Sequence, residues 1–252
     1  MLTAVSTTLL CLLSFCSLCQ AAEKLRFEIL QSSPHDNQVF TQGLVVDGDN
    51  LIESSGHYGQ SFVRVYESKT GKVIRQQALP AKIFAEGITL FEHNLYLLSW
   101  RESEAFVLDP ISLKTKKIFR YQGEGWGITH NGESLFTSDG SHIITEREPS
   151  DFSATRRIPV VHAKQGKIDR INELEYAKEH IWANRWKTNF IYAINPNTGE
   201  VKGELDLSEL VPALYLNSQK HVLNGIAYAP ALDAFWVTGK NWPIRYLIKV
   251  SL

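Results

Sequence analysis

The stretch FAEGITL (residues 84–90) recurs along the chain in four related forms, which are FTQGLVV (40–46), EGWGITH (124–130), RINELEY (170–176) and VLNGIAY (222–228). The third position of the five segments is occupied by Gln42, Glu86, Trp126, Asn172 and Asn224, at intervals of 44, 40, 46 and 52 residues. A repeat of this length is typical of propellers and solenoids. Because the shared position carries hydrogen-bonding side chains or a tryptophan, we expect it to serve function as well as folding.

Each repeat continues with the same series of short strands. After the segment at 84–90, strands are predicted at 94–100, 104–109 and 114–121. The turns before the fourth strands are rich in Gly, Pro, Asn and Asp, which supply the backbone angles of tight turns. Four short antiparallel strands form one blade of a propeller, so the sequence predicts an all-β protein.

The last repeat is short and has room for only three strands, at 225–228, 234–239 and 246–251. We therefore predict that the strand at 25–30 becomes its outer, fourth strand, which would close the ring and remove free sheet edges. The resulting prediction is a single domain over residues 23–252, a five-bladed β-propeller whose N-terminal strand completes the last blade. Between the fourth and fifth repeats, residues 208–215 have room for one or two helical turns.

The first 22 residues carry no charged side chain and include an apolar run at 9–13, which is typical of a secretory signal peptide. This pattern predicts a protein that is exported, either to the periplasm or to the exterior. A retained anchor and a lipoprotein modified at Cys19 remain alternatives. All three cysteines, Cys11, Cys16 and Cys19, lie in this segment, so the mature chain would have no thiol for catalysis or metal binding.

Composition narrows the class of function further. Lys and Arg total 26 and Asp and Glu total 27, so no charge excess indicates binding to nucleic acid or to an anionic membrane. The eight histidines show no metal-ligand spacing, and the HExxH, GxSxG and P-loop motifs are absent. We expect a monomer without a cofactor or a catalytic metal, although the sequence is compatible with a structural cation in the channel.

The first strand of each propeller blade lines the central channel, so the aligned side chains are predicted to converge at its mouth. Glycines follow most of these positions and allow close backbone approach at the axis: Gly43, Gly87, Gly127 and Gly225. Glu86 is the titratable residue among the first three aligned positions. Burial beside Phe84 would raise its pKa, which suits a proton shuttle near neutral pH. The alternative is a carboxylate that only accepts hydrogen bonds from channel backbone.

Tryptophans are concentrated near the predicted channel mouth. Trp100 ends a second strand, and Trp126 stands at the aligned position. Trp182 and Trp186 are four residues apart, which would place them on one face of a strand. Each of them could be a core residue, but together they favour an aromatic pocket. Lys240 follows the end of a strand, and its own context favours an ordinary surface lysine.

Nine short motifs run in order over nearly the whole chain after residue 22. They are FTQGL (40–44), FAEGIT (84–89), LSW (98–100), GEGWGI (123–128), LFTSDGS (135–141), INELEY (171–176), IWANRW (181–186), LNGIAY (223–228) and VTGKNWP (237–243). In this combination the chain resembles the plant and bacterial type of glutamine cyclotransferases (glutaminyl-peptide cyclotransferases). The resemblance implies a five-bladed propeller that converts the N-terminal Gln of peptides and proteins to pyroglutamate and releases ammonia. It also implies that no catalytic metal is needed, unlike in the zinc-dependent animal enzymes.

Carried over by position, the resemblance implies a role for nine residues. The catalytic glutamate of the family falls on Glu86, and Lys240 and Asn172 are expected to assist it. The expected substrate-binding residues are Phe40, Gln42, Phe84, Trp100, Trp126 and Trp186. Asn224 remains open between a part in the site and a part in closing the ring.

Two other classes of function remain open on the sequence. One is a non-enzymatic propeller that binds a peptide or protein partner at the channel mouth. The other is a calcium-dependent hydrolase of the lactonase type, with Glu86, Asn172 and Asp139 around the ion.

Overall fold

The computed structural model describes residues 21–251, which form an all-β, propeller-like structure. The predicted signal peptide lies outside the described residues except for Ala21 and Ala22, and the three cysteines lie outside them entirely. The described part begins with the strand β1 (Glu23–Pro34). Among residues 21–251, no helix has the length and apolar character that a membrane crossing requires.

Three antiparallel sheets follow, each made of four strands that are neighbours in chain order. The first contains β2 (Thr41–Asp47), β3 (Asn50–Ser55), β4 (Phe62–Glu67) and β5 (Val73–Ala78). The second contains β6 (Ala85–Phe91), β7 (Asn94–Ser99), β8 (Glu104–Leu108) and β9 (Thr115–Arg120). The third contains β10 (Ile128–His130), β11 (Leu135–Ser138), β12 (Ile143–Arg147) and β13 (Ala154–Pro159). These bounds agree within a few residues with the strands predicted from the repeat.

A small hairpin, β14 (Val161–His162) and β15 (Gly166–Lys167), separates these sheets from the rest of the chain. The remaining strands are β16 (Ile171–Ala177), β17 (His180–Arg185), β18 (Phe190–Ile194), β19 (Val201–Asp206), β20 (Leu223–Ala229), β21 (Ala234–Gly239) and β22 (Ile244–Ser251). With β1 they form one eight-stranded sheet in the order β16-β17-β18-β19-β1-β22-β21-β20. Short 3₁₀ turns occur at Ser208–Leu210, Ala213–Tyr215 and Pro230–Leu232.

Strand β1 joins the two halves of the eight-stranded sheet. It pairs antiparallel with β22 from Arg26 opposite Ser251 to Pro34 opposite Ile244. Its first three residues also pair parallel with β19, beginning with Glu23 opposite Gly203. The N-terminal strand therefore covers the outer edge of the last strand, as the short final repeat predicted.

The first strands of the repeats, β2, β6, β10, β16 and β20, contact one another in cyclic order. Glycine makes this close approach possible. A Cβ on Gly87 would lie 2.7 Å from the Cα of Gly127, and a Cβ on Gly127 would lie 2.1 Å from the backbone oxygen of Asn172. Both distances are shorter than a Cβ contact tolerates, so only glycine lets these strands touch at the axis.

The fourth repeat carries Glu173 where the other four have glycine. Its carboxylate is fully buried, with Oε1 accepting from the backbone N–H of Leu44 at 3.2 Å and Oε2 accepting from that of Ile226 at 3.0 Å. These two N–H groups belong to β2 and β20. The Glu173 side chain thus accepts hydrogen bonds from backbone N–H groups across the axis. A glycine at this position would leave those two donors without this acceptor.

Asn224, the aligned residue of the fifth repeat, is a structural link between β20 and β2. Its Nδ2 donates to the backbone oxygens of Thr41 at 3.0 Å and Gln42 at 3.3 Å. The apolar core lies between neighbouring sheets. Trp182 belongs to it, with its ring centroid 4.7 Å from that of Phe235. The prediction that Trp182 shares a strand face with Trp186 was wrong, because β17 ends at Arg185 and its alternation does not reach Trp186.

Candidate active site

A cavity of about 700 Å³ lies at the N-terminal ends of the first strands. It is lined by all nine residues that the sequence predicted for the site, which are Phe40, Gln42, Phe84, Glu86, Trp100, Trp126, Asn172, Trp186 and Lys240. The further residues that line it are His57, Lys187, Gln219, Lys220, His221 and Asn241.

The repeat explains why these side chains meet. Gln42, Glu86 and Asn172 are each the second residue of a first strand, namely β2, β6 and β16. Phe40 and Phe84 stand just before β2 and β6, and Trp100, Trp186 and Lys240 are the first residues after the second strands β7, β17 and β21. The start of one antiparallel strand lies beside the end of its partner, so the repeat brings all these positions to the same end of the ring.

The polar groups of the cavity form a hydrogen-bonded chain. Lys240 Nζ donates to Gln42 Oε1 at 2.5 Å, and Gln42 Nε2 donates to Glu86 Oε1 at 2.8 Å. The three residues are 3–5 % exposed. The ammonium of Lys240 also lies 4.6 Å from the ring centroid of Phe40. The surface position that its sequence context favoured for Lys240 was therefore wrong, because the turn after β21 directs the side chain into the cavity.

Burial shifts the pKa values of Glu86 and Lys240, the two residues at the ends of this hydrogen-bonded series. It raises the pKa of Glu86 well above its usual value, against the opposing effect of the Lys240 cation, while Glu124 and Glu102 raise the pKa further. Burial lowers the pKa of Lys240 to about 8, against the opposing effect of Glu86. The pKa values of the two groups are therefore shifted toward each other, as at many sites that exchange protons.

Asn172 presents a vacant hydrogen-bond acceptor. Its Oδ1 is buried and has no hydrogen-bond partner among residues 21–251. Its backbone oxygen accepts from Ser138 Oγ at 2.6 Å, which fixes the main chain beside the cavity. Buried polar atoms are rarely left without a partner, so this oxygen is suited to accept a hydrogen bond from an N–H group of a ligand.

Aromatic rings form the walls of the cavity. Trp126 and Trp186 meet edge to face with centroids 5.5 Å apart, and Phe84 lies 5.3 Å from Trp100. The indole N–H groups of Trp100 and Trp126 both donate to Glu124 Oε2, at 2.8 and 3.0 Å. This shared acceptor holds two of the walls in fixed orientations.

The family profile of glutamine cyclotransferase matches residues 3–250 of this chain. The chain belongs to the glutamine cyclotransferase family. Within residues 21–251 of this family member, the side chains just described line one cavity.

Two relatives of the cyclotransferase family extend this comparison. The glutaminyl-peptide cyclotransferase of Arabidopsis thaliana is 36 % identical over 228 residues, which is 89 % of this chain and 71 % of the relative. The crystal structure of the glutaminyl cyclase of Myxococcus xanthus superposes with a TM-score of 0.84 at 32 % identity, and the match covers 91 % of this chain and 98 % of that one. The fold is therefore shared with the Myxococcus xanthus protein across nearly the whole chain.

Some residues of this cyclotransferase site were not found by sequence reasoning. Glu124 was missed, although it stands in the GEGWG motif only two residues before Trp126. Burial raises the pKa of Glu124, but hydrogen bonds from Trp126, Trp100 and Arg101 together outweigh it, and the pKa lies below its usual value. Gln219, Lys220 and His221 lie in the loop before β20, which none of the repeated segments or motifs covers, so no pattern in the sequence indicated them.

The set proposed for a calcium-dependent hydrolase is not brought together. Asp139 lines a different cavity from Glu86 and Asn172. Its Oδ1 accepts from the N–H and the Oγ of Ser141, at 3.0 and 2.5 Å. Across residues 21–251 of this cyclotransferase, no cluster of three or more His, Cys, Asp or Glu could hold a metal ion.

Proposed function

We propose that this member of the glutamine cyclotransferase family converts the N-terminal Gln of peptides and proteins to pyroglutamate with release of ammonia, with Glu86 as the proton carrier. The observation that carries the assignment is a buried carboxyl group with a raised pKa, facing an aromatic-walled cavity at the end of the Lys240–Gln42–Glu86 chain. Such a group can both accept and donate a proton near neutral pH.

The first step forms the lactam ring. The α-amino nitrogen of the substrate attacks the side-chain carboxamide carbon, and the Glu86 carboxylate takes one proton from that nitrogen. The α-amine of a peptide has a pKa of about 8, so near that pH much of it is already neutral and attacks with a free lone pair. Holding the substrate in a curled conformation places the two groups side by side, and much of the rate can come from this geometry.

The second step expels ammonia. The bond between the former carboxamide carbon and its nitrogen breaks, while Glu86 returns the proton to the departing nitrogen. One proton thus moves from the α-nitrogen to the leaving nitrogen, and the enzyme ends in its starting state. A single carboxyl group with a raised pKa serves both transfers better than an ordinary surface carboxylate, which would stay ionised.

The neighbours of Glu86 divide the remaining tasks. Gln42 uses both ends of its carboxamide on Lys240 and Glu86, so we assign it and Lys240 to positioning the carboxyl group and setting its charge. The vacant Oδ1 of Asn172 would accept from an N–H of the substrate. The paired rings of Trp126 and Trp186 would exclude water, which suppresses hydrolysis of the amide to glutamate.

We also propose that the strands form five blades of one propeller domain over residues 23–252, with β1 as the outer strand of the last blade. The cyclic contacts of the five first strands and the pairing of β1 with β22 support this architecture. Residues 1–22 would act as a signal peptide and direct the protein to the periplasm or the exterior. We expect the exported enzyme to act as a monomer and without a metal cofactor.

The test is ammonia release from a Gln-initiated peptide by the purified protein, with and without a chelator, and with the N-acetylated peptide as a control. We expect equal amounts of ammonia and pyroglutamyl product, no reaction of the blocked peptide, and no effect of the chelator. Peptide binding without turnover would favour a binding module instead. Loss of activity with the chelator would favour a metal-dependent enzyme.

A further inference from the structure

A second cavity of about 410 Å³ lies between the second and third sheets. Arg147 at the end of β12 lines it, together with Arg157 of β13 and the aromatic residues Tyr121 and Phe152. Nothing in the proposed cyclisation uses this cavity, and none of the described residues lines both cavities. Glu124, which lines this one, accepts from the indoles of Trp100 and Trp126 in the active-site wall.

Arg147 breaks the pattern of the repeat. In the first four repeats, one position of the third strand lies opposite a leucine or isoleucine of the second strand. The pairs are Tyr66 with Leu51, Leu108 with Leu95, Arg147 with Leu135 and Ile194 with Ile181. The other three occupants are buried hydrophobic residues. A charged residue at a core position that its sister sheets fill with apolar side chains is a local conflict of the kind found at functional sites.

The guanidinium of Arg147 is only partly satisfied. Its Nε donates to Thr137 Oγ1 at 2.9 Å and its Nη1 to the backbone oxygen of Phe152 at 3.1 Å. It lies 5.1 Å from the ring centroid of Tyr121 and 4.8 Å from that of Phe152. The residue is 9 % exposed, and no carboxylate among residues 21–251 comes within 4.0 Å to form an ion pair with it. A buried cation without a counter-ion is costly, so an anion in this cavity would stabilise it.

The acidic residues of the cavity already have partners. Glu124 accepts from two indoles, Asp139 accepts from Ser141, and Asp151 Oδ1 accepts from the backbone N–H of Ser153 at 2.8 Å. Burial lowers the pKa of Arg147, while Tyr121 and Asp139 oppose the change and Arg157 adds to it. Arg120 also lines the cavity and pairs with Glu104 at 2.9 Å. Arg147, which is buried, and Arg157, which is exposed, therefore remain as the unpaired cations of this cavity among the described residues.

We propose that this cavity binds a small oxyanion, a carboxylate or a phosphate, through the guanidinium groups of Arg147 and Arg157. Guanidinium groups bind planar and tetrahedral oxyanions with parallel N–H donors, which a lysine cannot reproduce. The volume exceeds that of a bare ion, and the rings of Tyr121 and Phe152 would contact an organic part of the ligand. The site is separate from the cyclisation reaction and does not depend on it.

The test measures binding of inorganic phosphate and of citrate to the full-length purified protein by calorimetry and by the shift in Tm, with sodium chloride keeping the ionic strength constant. Arg147→Leu is the main variant, because Leu108 fills the same position in the second sheet and the variant should fold. Arg147→Lys keeps the positive charge but removes the parallel N–H donors of the guanidinium. Arg156→Ala is the matched control, because Arg156 adjoins Arg157 but pairs with Glu146 outside this cavity.

We expect saturable binding of at least one anion to the wild type, weakened tenfold or more by Arg147→Leu, severalfold by Arg147→Lys and by Arg157→Ala, and unchanged in Arg156→Ala. Binding of citrate alone would identify a carboxylate ligand, and binding of phosphate alone a phosphate ligand. Absence of saturable binding, or binding that persists in Arg147→Leu, would overturn the proposal. A cooperative thermal unfolding transition shows that each variant is folded, whatever its activity, and retained ammonia release distinguishes loss of this site from failure of the proposed reaction.

Discussion

Replacing Glu86 by glutamine removes the proposed proton carrier and leaves the shape of the cavity almost unchanged. The introduced carboxamide keeps an oxygen in the place where Glu86 Oε1 accepts from Gln42 at 2.8 Å, so the side chain should stay in position. The amide can neither take a proton from the substrate amine nor deliver one to the leaving nitrogen. The variant therefore separates proton transfer from substrate binding.

The size of the expected effect follows from the two proton transfers assigned to this group. A general acid or base typically contributes 10²–10⁴-fold to the rate. At 1.36 kcal/mol for each factor of ten, this is about 3–5 kcal/mol of transition-state stabilisation. We expect kcat to fall by at least about a hundredfold, and KM to stay within roughly threefold, because Asn172 and the aromatic walls remain.

Stability distinguishes this effect from misfolding. The pKa of Glu86 is raised in the folded protein, so the native state holds a proton that the unfolded chain has released, and stability is lost as the pH rises above the usual value of 4.5. A neutral glutamine removes that loss. At pH 8 the variant should be at least as stable as the wild type.

The assay is coupled ammonia release from a Gln-initiated peptide, together with thermal unfolding at pH 5 and pH 8. Glu102→Gln is the matched control, because it makes the same chemical change at a carboxylate that does not line the cavity. Glu102 raises the pKa of Glu86 only from a distance, and its Oε1 accepts a hydrogen bond from the Tyr58 hydroxyl. A kcat for Glu86→Gln within about threefold of the wild type over the whole pH range would refute the assignment.

Three further variants test other parts of the structure. Lys240→Gln removes a cation that lowers the pKa of Glu86, so the rising acidic limb of the kcat/KM profile should move to higher pH; an unchanged profile would exclude this coupling. Trp126→Ala should raise KM up to about tenfold and change kcat less, because it removes the edge-to-face contact with Trp186, and an unaltered KM in steady-state kinetics would contradict its place as a wall. Burial raises the pKa of Glu175 from 4.5 to about 8, so this group favours the folded state below pH 4.5 and that contribution is lost as the pH rises to 8. Glu175→Gln should flatten the pH dependence of the unfolding free energy in that window by a few kcal/mol, and denaturant titrations that show the wild-type slope would count against it.

The repeat made most of the architecture predictable. Strand positions followed from alternation and turn chemistry, and the short fifth unit indicated that the N-terminal strand pairs with β22. The aligned third position located Gln42, Glu86 and Asn172 in the cavity, because equivalent residues of a cyclic repeat lie at the same level along its central axis. The same reasoning could have identified Glu173 as a residue at the axis, since it replaces a glycine in the alignment.

Contacts between distant segments could not be predicted. Lys240 and Gln42 are 198 residues apart, and only the closing of the ring brings them together. A lysine after a strand usually lies at the surface, so its local sequence favoured the wrong environment. Arg147 posed the same difficulty, because its burial depends on Tyr121 from the neighbouring sheet.

The glycine contacts at the axis have a consequence for which substrates can enter. One residue after Glu86 and Trp126 in the sequence, Gly87 and Gly127 already touch, and Glu173 accepts hydrogen bonds across the remaining space. The cavity is thus blind-ended, and a polypeptide cannot thread through it. A closed floor suits the end of a chain better than a strand that continues on both sides. Restriction to terminal glutamine would then be a property of the scaffold itself, and ammonia would leave through the opening by which the peptide entered.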